Sequence, residues 1–259
     1  MNSALWVSKT GLSAQDTALR TISNNLANVG TVGFKKDRAV FEDLVYQINQ
    51  QPGGQSSQDS TLPSGIQLGT GVRIAGTQKQ FSMGSLQNTE RSLDMAIEGR
   101  GFFQITMPDG STAYTRTGSF SVNQDGDLVT GQGYTLEPAI NVPQGTTGIT
   151  VARDGTVSAV QAGGQTQIGN LQLVDFVNPT GLEAVGGNLY RETVASGAPL
   201  QSTPGLNGTG EVVQGVLESS NVSVVEEMVN MVATQRAYEM NARVVSTADQ
   251  MLQYLAQNI

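Results

Sequence analysis

"ALWVSKTGLSAQDTALRTISNNLANVGTVGFK", residues 4 to 35, carries a seven-residue rhythm and then loses it. Leu5, Leu12, Leu19 and Leu26 share one heptad position, and Ser8, Gln15, Ile22 and Val29 share the other. Ala4, Gly11 and Ala18 flank the leucines and keep that edge narrow. The spacing predicts a helix over residues 1–30 with a coiled-coil-like seam, spoiled on one row by two polar residues. Asn28, Gly30 and Gly33 are the residue types that stop a helix. Nothing foldable follows at once, so the apolar side of this helix needs a partner from elsewhere.

The other end of the chain offers a second seam. Ser223 with Glu226 three residues on reads as a capping box, and Glu227 adds negative charge to the first turn. Val224, Met228, Met231, Gln235, Tyr238, Ala242, Val245, Asp249, Leu252, Ala256 and Ile259 then step by alternating fours and threes. A helix within residues 216–259 is expected. Both helices carry polar residues in their seams, and ordering a marginal helix costs backbone entropy that one narrow stripe does not offset. An ordinary antiparallel pair within one molecule is the alternative, but the expectation is that both ends are loose in a free subunit and order against neighbouring copies. The polar positions would then fix register.

Between the helices the pattern changes twice. Residues 31–68 read as an extended linker. Within it Tyr46 to Gly65, "YQINQQPGGQSSQDSTLPSG", is rich in Gln, Ser, Gly and Pro. A structureless stretch of that length is usually functional or ordered by a partner. From Gly69 the residues alternate or run apolar in short segments. Asp-Gly pairs at 109–110, 125–126 and 154–155 sit where hairpins would close. Two β-rich regions are expected, residues 69–140 and 141–215, split near Pro138 to Gly148. The fold class is therefore α+β: terminal helices forming a coiled-coil-like domain around an all-β middle of small subdomains.

Composition narrows the chemistry. The chain has 259 residues, 38 % hydrophobic, with 31 glycines, few aromatics and a net charge of −8. An acidic chain without histidine is a poor nucleic-acid binder, which needs clustered Lys and Arg. With no Cys and no His, thiolate catalysis, Cys-ligated zinc and Ser-His-Asp machinery are absent. No P-loop occurs, and no stretch of 18 apolar residues predicts a membrane-spanning helix. The first residues lack the basic and apolar regions of a secretory signal peptide, so export would need another route. "NQDGD" at 123–127 fits a hairpin turn better than a calcium loop, because its Gly comes early and the bidentate Glu is missing. Lys35, Lys36 and Arg38 form a small basic cluster that reads as a solvated face. No catalytic residue, metal or cofactor is expected.

The segment Gly11 to Lys35 resembles the N-terminal motif of the bacterial flagellar rod and hook protein family. Leu12, Ala14, Leu19, Ser23, Asn25, Leu26, Ala27, Asn28, Thr31, Gly33, Phe34 and Lys35 carry the likeness. Near the other end Asn221, Val222, Gln235, Arg236, Ala237, Tyr238, Glu239 and Asn241 match the family's C-terminal motif. Leu93 to Phe120 looks like its shared β-domain. Within the family the length and the 46–65 stretch, with Tyr46, Gln47, Pro52, Leu62, Pro63 and Gly65, resemble the distal rod type. Proximal rod or hook is the nearest alternative.

The resemblance implies export through the flagellar apparatus, with a periplasmic place in the basal body. It also implies a helical homopolymer that is hollow and stiff and passes motor torque to the hook. The implied partners are proximal rod proteins, the hook protein and ring proteins of the periplasm and outer membrane. Leu5, Leu12, Leu19, Ile22, Leu26, Val29, Val224, Met228, Met231, Tyr238, Val245 and Leu252 would then bind sister copies. From the residues alone, a β-rich adhesin or a carboxylate hydrolase acting on peptidoglycan stays open as another class.

Overall fold

A computed structural model describes residues 3–53, 55–57, 60–61, 63–161 and 163–257, with only the backbone at 55–57, 60–61, 255 and 257. The chain divides into two compact units. One comprises the described residues of Met1–Ala27, Asp37–Gln78 and Ser223–Ile259, and the other Asn28–Lys36 and Lys79–Val222.

The first unit holds both long helices. α1 spans Ser3–Ala27 and α2 spans Val224–Gln257. Neither contains proline, so each runs without a break. α2 starts where the sequence places its cap. The Ser223 carbonyl accepts from the Glu227 N–H at 3.0 Å, its hydroxyl accepts from the Glu226 N–H at 3.5 Å, and both glutamates lie in the first turn. The helices pack antiparallel: Asn25 meets Glu227, and Gly11 meets Asn241.

The seam differs from the one expected. On α1 the buried positions are Ser8, Ala14, Ala18, Ile22 and Asn25, while Leu5, Leu12, Leu19 and Leu26 are half-buried beside them. On α2 the inward row is Glu227, Thr234, Asn241 and Ala248, one residue before the expected row of Met228, Gln235, Ala242 and Asp249, which is exposed. The other row holds better, with Met231 and Val245 half-buried, though Val224, Tyr238 and Leu252 are exposed. The reason is steric. A Cβ on Gly11 would sit 3.1 Å from the Asn241 amide nitrogen, so the helices approach where their side chains are small and the leucines are displaced to the flank.

Two-stranded ribbons complete this unit. Asp37–Asp43 pairs with Val72–Lys79, whose last residue belongs to the other unit, and Tyr46–Gln50 pairs antiparallel with Ile66–Gly69. Gln55–Ser57 pairs with Ser60–Thr61. The stretch expected as linker therefore carries strands.

The second unit is all β and is organised by one strand. Phe102–Thr106 pairs along one edge with Thr112–Thr115. Its other edge is shared by Thr135–Glu137 and Leu173–Asp175. Both of its faces are covered. Phe103 and Ile105 enter a core with Met95, Ile97, Phe120, Leu128, Leu136 and Ile140. Phe102 enters a second cluster with Tyr114, Val174, Phe176, Leu182 and Tyr190. The rings meet edge to face, as aromatic quadrupoles prefer. The three Asp-Gly pairs close the 106–112, 122–128 and 151–156 connections, with Gly110, Gly126 and Gly155 at φ of 78°, 91° and 83°.

The split expected near residues 138–148 is not a boundary between compact units. Ile140, Val151, Val157 and Leu171 share the core of Phe103, and Phe102–Thr106 binds strands from both sides of the expected split. The unit is closed by chain segments far apart in sequence: Glu211–Gln214 pairs with Met95–Glu98, and Val216–Glu218 with Leu86–Asn88.

Phe103 is fully buried against Phe120 at a centroid distance of 5.2 Å. Phe103→Ala is expected to cost about 3–5 kcal/mol in urea unfolding of the whole chain. Val194→Ala, at a fully exposed position, should stay within about 0.5 kcal/mol. Equal losses at both sites would show that this core does not carry the stability.

Candidate functional site

Apart from Ile22, the side chains that α1 and α2 bury most fully against each other are small or polar, and several larger apolar ones on α2 remain outside. Val225, Val229, Val232, Val244, Met251 and Tyr254 on α2 are all exposed, by 47 to 73 %. Their spacing follows the 3.6-residue period, so they form a stripe along one side of the helix. Shallow grooves lie along it at Met228, Val229, Val232, Ala233 and Arg236, and again at Thr247, Gln250, Met251 and Tyr254. On α1, Trp6 is also exposed, with the Lys9 ammonium 5.4 Å from its ring centre. Of the expected C-terminal motif residues, Gln235, Arg236 and Tyr238 are exposed, while Asn241 is half-buried beside Gly11.

The N-terminal motif residues serve a different end. Asn25 is buried, and its amide grips the main chain of Asp37 from both sides. Nδ2 donates to the Asp37 carbonyl at 2.8 Å, and Oδ1 accepts from the Asp37 N–H at 2.9 Å. The same Nδ2 reaches the Glu227 carboxylate at 3.4 Å. Ala27 is exposed and Val29 half-buried. The Asn28 carbonyl accepts from the Thr31 N–H at 3.1 Å, and its side-chain oxygen accepts from the Thr31 hydroxyl at 3.2 Å, so the chain turns out of the helix. Gly33 sits at φ 71°, and a Cβ there would lie 2.9 Å from the Thr117 nitrogen. Only glycine satisfies both conditions. Phe34 is buried under the Lys79 ammonium, 5.5 Å from the ring centre.

Lys35 overturns the reading of a solvated basic face. Its side chain is fully buried. The ammonium donates to Glu218 Oε1 at 2.6 Å and to the Ser82 carbonyl at 2.7 Å. Glu218 Oε1 also accepts from the Gly84 N–H at 2.9 Å, and Oε2 from Arg116 Nε at 3.0 Å. Arg116 donates three of its other four hydrogens to the carbonyls of Gly99, Gly101 and Ile97. Burial lowers the Lys35 pKa, and the Arg116 charge adds to that, against the pull of Glu218. Burial alone would raise Glu218, but the Arg116 and Lys35 charges and the hydrogen bonds to it hold it below its ordinary value. Beside this cluster Asn221 accepts from the Lys36 N–H at 2.8 Å and donates to the Gln80 carbonyl at 2.8 Å. Nothing in the sequence announces residues 35, 116 and 218 as neighbours: they are isolated charges in three different segments.

The 46–69 ribbon is apolar on two sides. Tyr46 and Ile48 lie opposite Gly69 and Gln67, and Leu68 lies opposite Gln47. Alternation puts the first pair on one face and Leu68 with Ile66 on the other. All four are about half exposed. Gln47, Pro52 and Pro63 are exposed, and Gly65 is packed so closely on Gln50 and Pro52 that no side chain fits. Leu62 lies outside the described residues.

A cleft of about 200 Å³ beside Phe81, Phe102, Arg116 and Asp175 holds the Arg100–Asp175 ion pair at 3.0 Å, with Arg100 exposed and Asp175 mostly buried. Among the described residues its lining offers no nucleophile and no pair of carboxylates set for acid–base work. Among the described residues no cluster of His, Cys, Asp and Glu is arranged to hold a metal.

Three family profiles match in order: "Flagella basal body rod protein" over residues 5–35, "Flagellar hook protein FlgE/F/G D1 domain" over 96–159, and "Flagellar basal body rod FlgEFG protein C-terminal" over 213–258. The flagellar basal-body rod protein FlgG of Buchnera aphidicola (subspecies Acyrthosiphon pisum) is 56 % identical over 257 residues, covering 98 % of each chain. Those of Caulobacter vibrioides and Bacillus subtilis are 46 % and 39 % identical, over 98 % and 97 % of each chain.

Removing one partner of a buried ion pair strands the other. Glu218→Gln is expected to cost about 3 kcal/mol at neutral pH, measured by thermal or urea unfolding. Because Glu218 titrates lower in the folded chain, its contribution is full above the ordinary value of 4.5 and is lost as the pH falls through the folded value. The stability gap between the two chains should therefore narrow in acid. A gap that stays constant down to pH 3, taken as a rough lower limit for native-state carboxylates, would contradict this account.

Proposed function

We propose a working mechanism from the premise that the chain belongs to the FlgG family of flagellar basal-body rod proteins and is a structural subunit of the distal rod. It assembles with other rod and hook components in the basal body. The observation that carries the mechanism is the division of side chains on α2: small and polar toward α1, large and apolar on the outside. That outer stripe docks on sister copies. The contact joins two different surfaces, so it repeats without closing and generates a helical polymer. Many modest contacts share the torque. The helices are fully ordered only there, because the single chain offers no cover for the stripe.

The finer partners follow the same logic. The ends of the polymer meet proximal rod and hook proteins, its outer surface turns within ring proteins, and delivery is by the flagellar export apparatus. The 46–69 ribbon is the stiffening element. A lone two-stranded ribbon is marginal in water, and this one has apolar side chains on both faces for neighbouring subunits to cover.

Concentrating the unaltered chain should give helical tubes by electron microscopy and a rise in helical circular dichroism. Val229→Glu with Met251→Glu should give neither, with urea unfolding of the β unit within about 0.5 kcal/mol of the original. Tubes of ordinary appearance from that double variant would end the proposal for the stripe. Deleting Tyr46 to Gly65 should leave tubes that assemble but bend, and straight tubes would rule out the stiffening role.

A further inference from the structure

The Lys35–Glu218–Arg116 cluster joins three segments that the chain delivers at different times. Lys35 follows α1, Arg116 lies at the end of strand Thr112–Thr115, and Glu218 ends the last strand before α2. Among the described residues Glu218 is the one carboxylate within ion-pair reach of Lys35. A fully buried ammonium without a counter-charge is costly, so Lys35 is poorly seated until residue 218 is in place. The main chain repeats the dependence. The Gly33 N–H donates to the Glu218 carbonyl at 2.8 Å, Lys36 donates to Asn221, and the Asn221 N–H reaches the Phe34 carbonyl at 3.4 Å. Segment 33–36 is thus seated largely on segment 218–221.

We propose that this cluster is a latch whose closure makes the exit from α1 and the entry to α2 conditional on each other. Arg116, tied to three carbonyls of the β unit, is its fixed post. Glu218 arrives last in any chain that emerges from its N-terminus, and only then does Lys35 go in. Until that moment residues 33–36 lack their partners at 218–221, and the stretch is held through Val32, whose carbonyl accepts from Asn188 and Thr117. Lys35, Glu218 and Arg116 are positioning residues for polymerisation: a subunit has both chain segments leading to its helices seated, or neither. The last step rests on the assembly reading above.

The test is hydrogen exchange on the full-length chain, with a polymerisation assay beside it. In Glu218→Gln the amides of Gly33, Phe34 and Lys36 should exchange on the order of a hundredfold faster, while Phe103 and Ile105 in the central strand keep their protection. Polymerisation should slow in parallel. Lys35→Met combined with Glu218→Gln removes the stranded ammonium and leaves one amide oxygen to accept from either Arg116 or Gly84, so it should recover part of the lost protection. Three results would overturn the latch: unchanged exchange at 33–36 in Glu218→Gln, loss of the central strand together with 33–36, or no recovery in the double variant. A latch that opens in Glu218→Gln without any change in polymerisation would overturn the positioning role. If the unaltered chain itself forms no polymer, the assembly reading fails, and the exchange data still decide the latch.

Discussion

α1 and α2 meet where their side chains are smallest. Gly11 faces Asn241, Asn25 faces Glu227, and the same antiparallel register sets Ala18 level with Thr234. A contact of this kind lets two helices approach closely but buries little apolar area, so it supplies geometry more than stability. The polar members then have a clear role. An Asn amide that bonds both a neighbouring strand and a carboxylate fixes axial position in a way that a leucine, free to slide, does not. Because the inner contact consumes the small residues, the large ones are left on the outside of α2, and the helical unit is unsatisfied as a single molecule.

The β unit is the opposite case. Its central strand is buried on both faces, its two clusters hold most of the large apolar side chains, and its closing strands come from both ends of the unit. The buried charge cluster sits at that closure. Buried ion pairs contribute little net stability compared with apolar replacements, because desolvation offsets attraction. What they add here is selectivity: Glu218 accepts from an ammonium, a guanidinium and a main-chain N–H at once, and no other carboxylate meets that geometry among the described residues.

Much of this was legible in the sequence. The heptad rhythm located both helices, and Ser223 with its two glutamates located the start of α2. Each Asp-Gly pair closed a connection between strands. Two things were not legible. The seams were placed one residue off on one row of each helix, because a count of apolar residues favours leucines, whereas close approach favours Gly11, Ala18 and Asn25. Lys35 was read as solvated, because a lysine beside another lysine and an arginine carries no sign of burial. Its counter-charge lies 183 positions away, and only the fold brings it near. At 138–148 a Pro- and Gly-rich stretch precedes a separate three-stranded sheet, yet one strand, Phe102–Thr106, binds partners on both sides of it.

This distribution separates the two tasks of the subunit. Its folding free energy resides in apolar area that is already buried in the β unit, and in the proposed assembly its association free energy would come from apolar area still exposed on α2 and on the 46–69 ribbon. Substitutions in the first region act on each molecule and are felt at any concentration. Those in the second act through mass action and are felt only where copies are crowded. A shaft built this way gains from keeping the helical contact weak within one molecule. If α1 and α2 had buried their leucines and valines on each other, the pair would be stable alone and would have nothing left to offer a neighbour. The small-residue seam sets the register of the two helices and at the same time keeps their apolar surface available, and a helical polymer needs both.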